Sequence, residues 1–181
     1  MNEPGPEAAP AAAPAASTPL ARPGAYLWFW LLAAAIFAAD QASKAWIAGR
    51  IPYGTQAADP GAITLIPNFL YFIHVGNTGA AWSLFTGQSV MLAALAAITL
   101  AAIFFWRRAL GLHEVGTQLC FGLLCGGILG NLCDRLRHGH VIDFIDTHFG
   151  SYIYPTFNLA DSAICVGVAI YLLRSLRSPD R

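Results

Sequence analysis

The chain has 181 residues, of which 56% are hydrophobic and only 11% charged, against about 25% charged residues in an ordinary soluble domain. Ten basic residues balance ten acidic ones, which removes the basic surface that nucleic-acid binding needs. What remains is a small polytopic membrane protein, long enough for four crossings of about 20 residues each.

Residues 1–24 are Ala/Pro-rich and read as a disordered tail: repeated Pro breaks helical periodicity and little can be buried. No basic segment leads directly into an apolar core with a cleavage site, so the tail is not expected to be a secretory signal. A first span is expected over about 26–48, wholly apolar in its first half and carrying Asp40, Ser43 and Lys44 in its second. Between it and the next span lie Pro, Gly and two strand-like stretches, 63–66 and 69–75, which suggest a small sheet at the membrane surface. The second span, 89–106, is uncharged and stopped by Arg107 and Arg108. The third, about 115–133, has glycines at 122, 126 and 130, a spacing that lets helices approach closely in lipid. A loop over about 134–156 follows, then a fourth span over about 157–173 interrupted by Asp161. The expected architecture is therefore an all-α membrane protein: four transmembrane helices within a 25–175 domain, a small extracytoplasmic sheet, and a short cytoplasmic tail at 176–181.

Lys/Arg placement sets the orientation. Arg22, Arg107, Arg108, Arg174, Arg177 and Arg181 fall on one side, and Lys44, Arg50, Arg135 and Arg137 on the other. Both termini are expected in the cytoplasm and both long loops outside.

A carboxylate inside a span costs roughly 2.5–3.5 kcal/mol on insertion scales, so each one is a functional candidate. This topology gathers Asp40, Asp134, Asp143 and Asp161 near the outer surface. Asp40 and Lys44, four residues apart on one helix face, can form a structural ion pair. Asp134 ends a helix and suits a structural role beside Asn131, Arg135 or a loop donor. Asp143 and Asp161 have apolar neighbours and no sequence-local cation. Two such groups brought together would share a proton, the acid/base arrangement of an aspartic protease. A proton-coupled carrier using the same carboxylates is the alternative, although it should show repeated halves and polar groups at the midplane. The four cysteines, at 120, 125, 133 and 165, form no CxxC pair and read as small apolar residues. His138, His140 and His148 read as interfacial. Neither a metal nor a cofactor is expected.

Five blocks carry a resemblance: Asp40-Gln-Ala-Ser-Lys44; Asn77-Thr-Gly-Ala-Ala-Trp-Ser83; Gly126-Gly-Ile-Leu-Gly-Asn131-Leu-Cys-Asp134-Arg135; Val141-Ile-Asp143-Phe144; and Phe157-Asn158-Leu-Ala-Asp161-Ser162. In this order they make residues 26–175 resemble the lipoprotein signal peptidases, or signal peptidase II. The resemblance implies an aspartic endopeptidase of the bacterial inner membrane, with its site near the periplasmic face. Its substrates would be prolipoproteins already carrying a diacylglyceryl group, cut just before the lipidated cysteine. It further implies Asp143 and Asp161 as the catalytic dyad and Asp40, Lys44, Asn77, Asn131, Arg135 and Asn158 as substrate-binding or supporting positions, with Asp134 structural. Membrane lipids and these substrates are the expected partners; no obligatory protein partner and no nucleic acid is implied.

Overall fold

The computed structural model describes residues 26–177; the expectations for the 1–24 tail and for the last four residues lie outside them. The element order is α1 (Leu27–Arg50), β1 (Ile63–Ile66), β2 (Leu70–Asn77), a short 3-10 turn (Ala81–Ser83), α2 (Ser89–Trp106), α3 (Val115–His138), β3 (Val141–Phe149), β4 (Tyr152–Phe157) and α4 (Leu159–Arg177).

Helix α3 is the centre of the helical layer. Its glycine stripe faces α1: a Cβ on Gly122 would sit 3.1 Å from the Phe29 carbonyl, and one on Gly126 only 2.7 Å from the Ala33 carbonyl. Any side chain there would push the helices apart, which is the close approach expected of GxxxG spacing in lipid. Contacts advance together along both chains, from Phe29 against Gly122 to Asp40 against Gly130, so α1 and α3 run parallel. On the adjacent face Gly127 lies against the Ala160 carbonyl and Gly167 against the Cys120 carbonyl, so α4 runs antiparallel to α3. Helix α2 buries only Ser89, Ala93 and Ile103; Leu100 packs half-buried against the core, and Val90, Leu95, Ile98 and Phe105 are exposed.

Three of the long helices, α2, α3 and α4, are long and apolar enough to cross a membrane. Helix α1 has 24 residues but is not among them; Asp40, Gln41, Ser43 and Lys44 dilute its second half. Helix α4 continues to Arg177, two residues into the segment read as a tail.

Strands β1 to β4 form one antiparallel sheet in sequence order. Strand β1 falls at the expected residues, and β2 begins one residue and ends two residues later than expected. The reading of 134–156 as a loop is corrected: α3 runs on to His138, and β3 and β4 form the second half of the sheet. Its signal was present: two runs rich in Val, Ile, Phe, Tyr and Thr, separated by Gly150 and Ser151, have the composition of a hairpin. Pro155 in β4 is tolerated because β4 is an edge strand. The sheet packs onto the C-terminal end of α1 through Ile47, Ile51 and Phe144, and Val75 pairs with Asp143 in the β2–β3 register.

Candidate functional site

Asp143 projects from β3 and Asp161 from the first turn of α4. Both line one groove of about 590 Å³, together with Asn77, Asn131, Arg135 and the aromatic residues Trp82, Tyr154 and Phe157. The local sequence explains the position of Asp161. Asn158 caps α4: its Oδ1 accepts from the Asp161 amide at 2.9 Å, while Asp161 Oδ2 accepts from the Asn158 amide at 3.2 Å. That reciprocal pair is a capping box, and it leaves Asp161 Oδ1 for Asn131 Nδ2 at 2.7 Å.

Asp143 is 2% exposed. Asn158 Nδ2 donates to its Oδ1 at 2.7 Å and Asn77 Nδ2 to its Oδ2 at 3.0 Å. Burial, and next the negative charge of Asp161, push its carboxyl up from 3.8 to about 7; the two amide donors and Lys44 oppose the rise without cancelling it. The side chain is therefore poised to hold or release a proton at neutral pH.

Beneath the two carboxyls lies a buried polar layer. Lys44, 2% exposed, is not simply the partner of Asp40 on its own helix. Its Nζ is 2.9 Å from Asp40, 2.8 Å from Asp134 and 3.0 Å from Asn131 Oδ1. One ammonium thus serves two carboxylates and the amide that holds Asp161. The remaining lone pairs are used: Asp40 Oδ1 accepts from the Ala160 amide at 3.0 Å and Asp134 Oδ2 from the Ile142 amide at 3.1 Å. A buried charge is tolerated only when paired and hydrogen-bonded in this way. The cation beside Asp134 is Lys44, from a distant part of the chain, while its backbone donor, Ile142, comes from β3 rather than a loop. Gly130 makes room for the layer, since a Cβ there would strike the Asp40 carboxylate.

Sequence reasoning did not single out Gln41, although it lies inside the Asp40–Lys44 block. Its Nε2 donates to Asp134 Oδ1 at 2.9 Å and lies 3.2 Å from Asp40 Oδ2. A glutamine in an apolar helix next to an aspartate was the available signal. Arg135 Nη1 donates to the Asn131 carbonyl at 3.4 Å, within its own helix. Its Nη2 donates to the Gly79 carbonyl at 2.9 Å, fastening the 79–87 loop to the end of α3. That loop holds Trp82 and Phe85 at φ 53° and 58°, the left-handed region that costs a bulky residue energy. The Trp82 ring, 63% exposed, stands 6.1 Å from Tyr154, beside the groove. His148 pairs with Asp146 at 2.7 Å. Among the described residues no three His, Cys, Asp or Glu side chains are grouped to hold a metal ion.

Apolar helices long enough to cross a membrane, carrying a sheet and a groove lined by two carboxyls, define a membrane protein with titratable groups at one end. The comparisons make the assignment narrower. Residues 32–177 match the family model described as signal peptidase (SPase) II. The lipoprotein signal peptidase of Serratia proteamaculans is 38% identical over 156 residues, 84% of this chain and 88% of that protein. The lipoprotein signal peptidase of Geobacillus thermodenitrificans is 38% identical over 145 residues, covering 80% and 87%. A bacterial membrane enzyme solved by the in meso method at 2.3 Å superposes with a TM-score of 0.74 at 31% identity, covering 84% of this chain and 89% of that one. The chain belongs to the signal peptidase II family and is a bacterial membrane peptidase.

Proposed function

We propose that this peptidase is of the aspartic type and that Asp143 and Asp161 are its dyad. They remove the signal peptide from diacylglyceryl-modified prolipoproteins by cutting before the lipidated cysteine. The observation that carries the reading is the convergence of two carboxyls, from β3 and from α4, on one groove, each held by asparagine amides. The pair shares one proton, and burial makes Asp143 its holder at neutral pH. The Asp161 carboxylate takes a proton from water as the oxygen attacks the scissile carbonyl carbon, and Asp143 gives its proton to the carbonyl oxygen. The tetrahedral diol then collapses. The C–N bond breaks, Asp161 delivers its proton to the leaving amine, and Asp143 recovers one from the diol hydroxyl. The products are the signal peptide's carboxyl end and the free amine of the lipidated cysteine.

The remaining polar residues hold this geometry. Asn77 and Asn158 fix Asp143, Asn131 fixes Asp161, and Lys44 with Asp40 and Asp134 anchors Asn131 from below. Arg135 fixes the 79–87 loop, whose Trp82 forms one wall for the substrate. Four crossings are proposed, with α1 as the first: it matches α3 in length and runs parallel beside it, and its polar half faces α3 rather than lipid. The proposed domain spans 25–175. Lys/Arg placement puts both termini in the cytoplasm of an inner-membrane protein and the groove at the periplasmic face, where lipid meets water. There the alkyl chains stay in the bilayer while the peptide enters the groove. A proton-coupled carrier is disfavoured because the carboxyls cluster at one end of the helices.

The test is incubation of purified protein with a diacylglyceryl-modified prolipoprotein, read as a size shift on a gel. The wild type should cleave, and folded Asp143→Asn and Asp161→Asn should not. More than a few per cent of wild-type activity in either variant would overturn the dyad.

A further inference from the structure

At the end of the helices opposite the groove, a second cavity of about 890 Å³ opens between the α2–α3 connection and the end of α4. Its lining includes Arg108, His113, Glu114, Tyr171, Arg174 and Arg177. Arg108, Arg174 and Arg177 share this lining with a single acidic residue among those described, Glu114, whose carboxylate lies 3.6 Å from Arg174 and 4.0 Å from His113. Gly116 shapes the wall: a Cβ there would collide with the Arg174 guanidinium, so the arginine lies directly against the start of α3. None of these residues contributes to the dyad or its supporting layer. Helix α3, 24 residues long, separates the two sites by about 36 Å at 1.5 Å per residue.

We propose that this cavity binds the phosphate of an anionic phospholipid. Guanidinium forks match phosphate oxygens in pairs, which suits them to such a group better than to a simple counter-ion. The position argues for a lipid rather than a soluble phosphate. The cavity lies where the apolar lengths of α2, α3 and α4 end, the depth at which headgroups sit and basic pockets between helices take them. Its flanks are apolar and open: Phe105 is 75% and Leu176 78% exposed, so acyl chains have a surface beside the arginines. The net positive charge of the lining selects an anionic headgroup over a zwitterionic one.

The experiment uses the full chain in detergent, freed of anionic lipid, titrated with dioleoyl phosphatidylglycerol or dioleoyl phosphatidylcholine and read by native mass spectrometry. Phosphatidylglycerol should bind at least tenfold more tightly. Arg108→Gln/Arg177→Gln, which leaves the Glu114–Arg174 pair in place, should weaken that binding at least tenfold. Arg50→Gln, a charge removed at the other end of the helices, should not. Binding of the double variant within twofold of wild type, or equal weakening by Arg50→Gln, would overturn the site. Displacement of phosphatidylglycerol by millimolar inorganic phosphate would overturn the lipid as its occupant. Because the readout is binding, the outcome is independent of peptidase activity.

Discussion

Replacing Asp143 by Asn should make the protein inactive and, in alkaline buffer, more stable. Holding a carboxyl that normally titrates at 3.8 up to about 7 means that the folded chain binds more protons than the unfolded chain between those two values. Stability therefore falls as pH rises through that window and levels off above 7, by which point the penalty is about 4 kcal/mol. The asparagine carries no such penalty. It does present one amide N–H₂ toward a donor, Asn77 or Asn158, where the carboxylate presented oxygens to both; an unsatisfied buried group of this kind costs about 1–3 kcal/mol. The balance changes sign with pH. The variant should be less stable than wild type near pH 4 and more stable by about 1–3 kcal/mol at pH 8.5. Between pH 5 and 8.5 the difference in melting temperature should move by roughly 5–11 °C, at about 2–4 °C per kcal/mol for a chain of this size. The measurement is thermal unfolding of both proteins in the same detergent, followed by tryptophan fluorescence across that range. A melting difference that stays constant with pH would refute the argument that Asp143 is held protonated by burial.

The same titration should appear in catalysis: kcat/KM should fall about tenfold per pH unit above about 7 as Asp143 loses its proton, and a profile flat to pH 9 would contradict it. Cleavage should survive EDTA in metal-free buffer, because the groove offers carboxyls and amides rather than a ligand set; activity lost to chelator and restored by zinc would sink the aspartic mechanism. Asp134→Asn should lower the melting temperature, since it disturbs the Lys44 layer, yet retain turnover; a well-folded variant as inactive as Asp143→Asn would merge the two roles. In a background without native thiols, Ser151→Cys should react with a membrane-impermeant reagent added from the periplasm and Ala109→Cys should not, and the opposite pattern in sealed cells would invert the proposed orientation.

How much of this was legible beforehand depends on the range over which each signal acts. Helix α2 could be bounded to the residue because an uncharged apolar run ends at paired arginines. The glycines at 122, 126 and 130 announced a close helix contact, and the structure identifies α1 as the neighbour. Asp143 and Asp161 stood out because carboxylates in apolar surroundings demand an explanation. Strand β3 is hard to read locally because it lacks clean polar alternation: Val141, Ile142, Asp143 and Phe144 are all buried, which leaves period-two reasoning nothing to hold. The partners of Lys44 were only half visible. Asp40 is four residues away, but Asp134 and Asn131 reach it through the packing of α1 on α3, which no local pattern encodes. The bend at Trp82 was equally hidden, because its positive φ is imposed by the surrounding loop and runs against the residue's own preference.

Helix α2 supplies no group to the groove, and its role follows from parity. The polar layer beneath Asp143 and Asp161 needs the C-terminal halves of both α1 and α3 at the same surface, since Asp40 and Lys44 come from one and Asn131 and Asp134 from the other. Two parallel helices in one chain require an odd number of crossings between them, and α2 is the smallest odd number. What is demanded of it is a length of 18 residues, an apolar surface and small residues where it meets its neighbour, not any particular chemistry. Its exposed apolar positions away from the second cavity, Val90, Leu95 and Ile98, are thus the part of the molecule that can be rewritten most freely, for a fluorophore, a crosslinker or a different bilayer thickness, while the end that carries Asp143 and Asp161 is left alone.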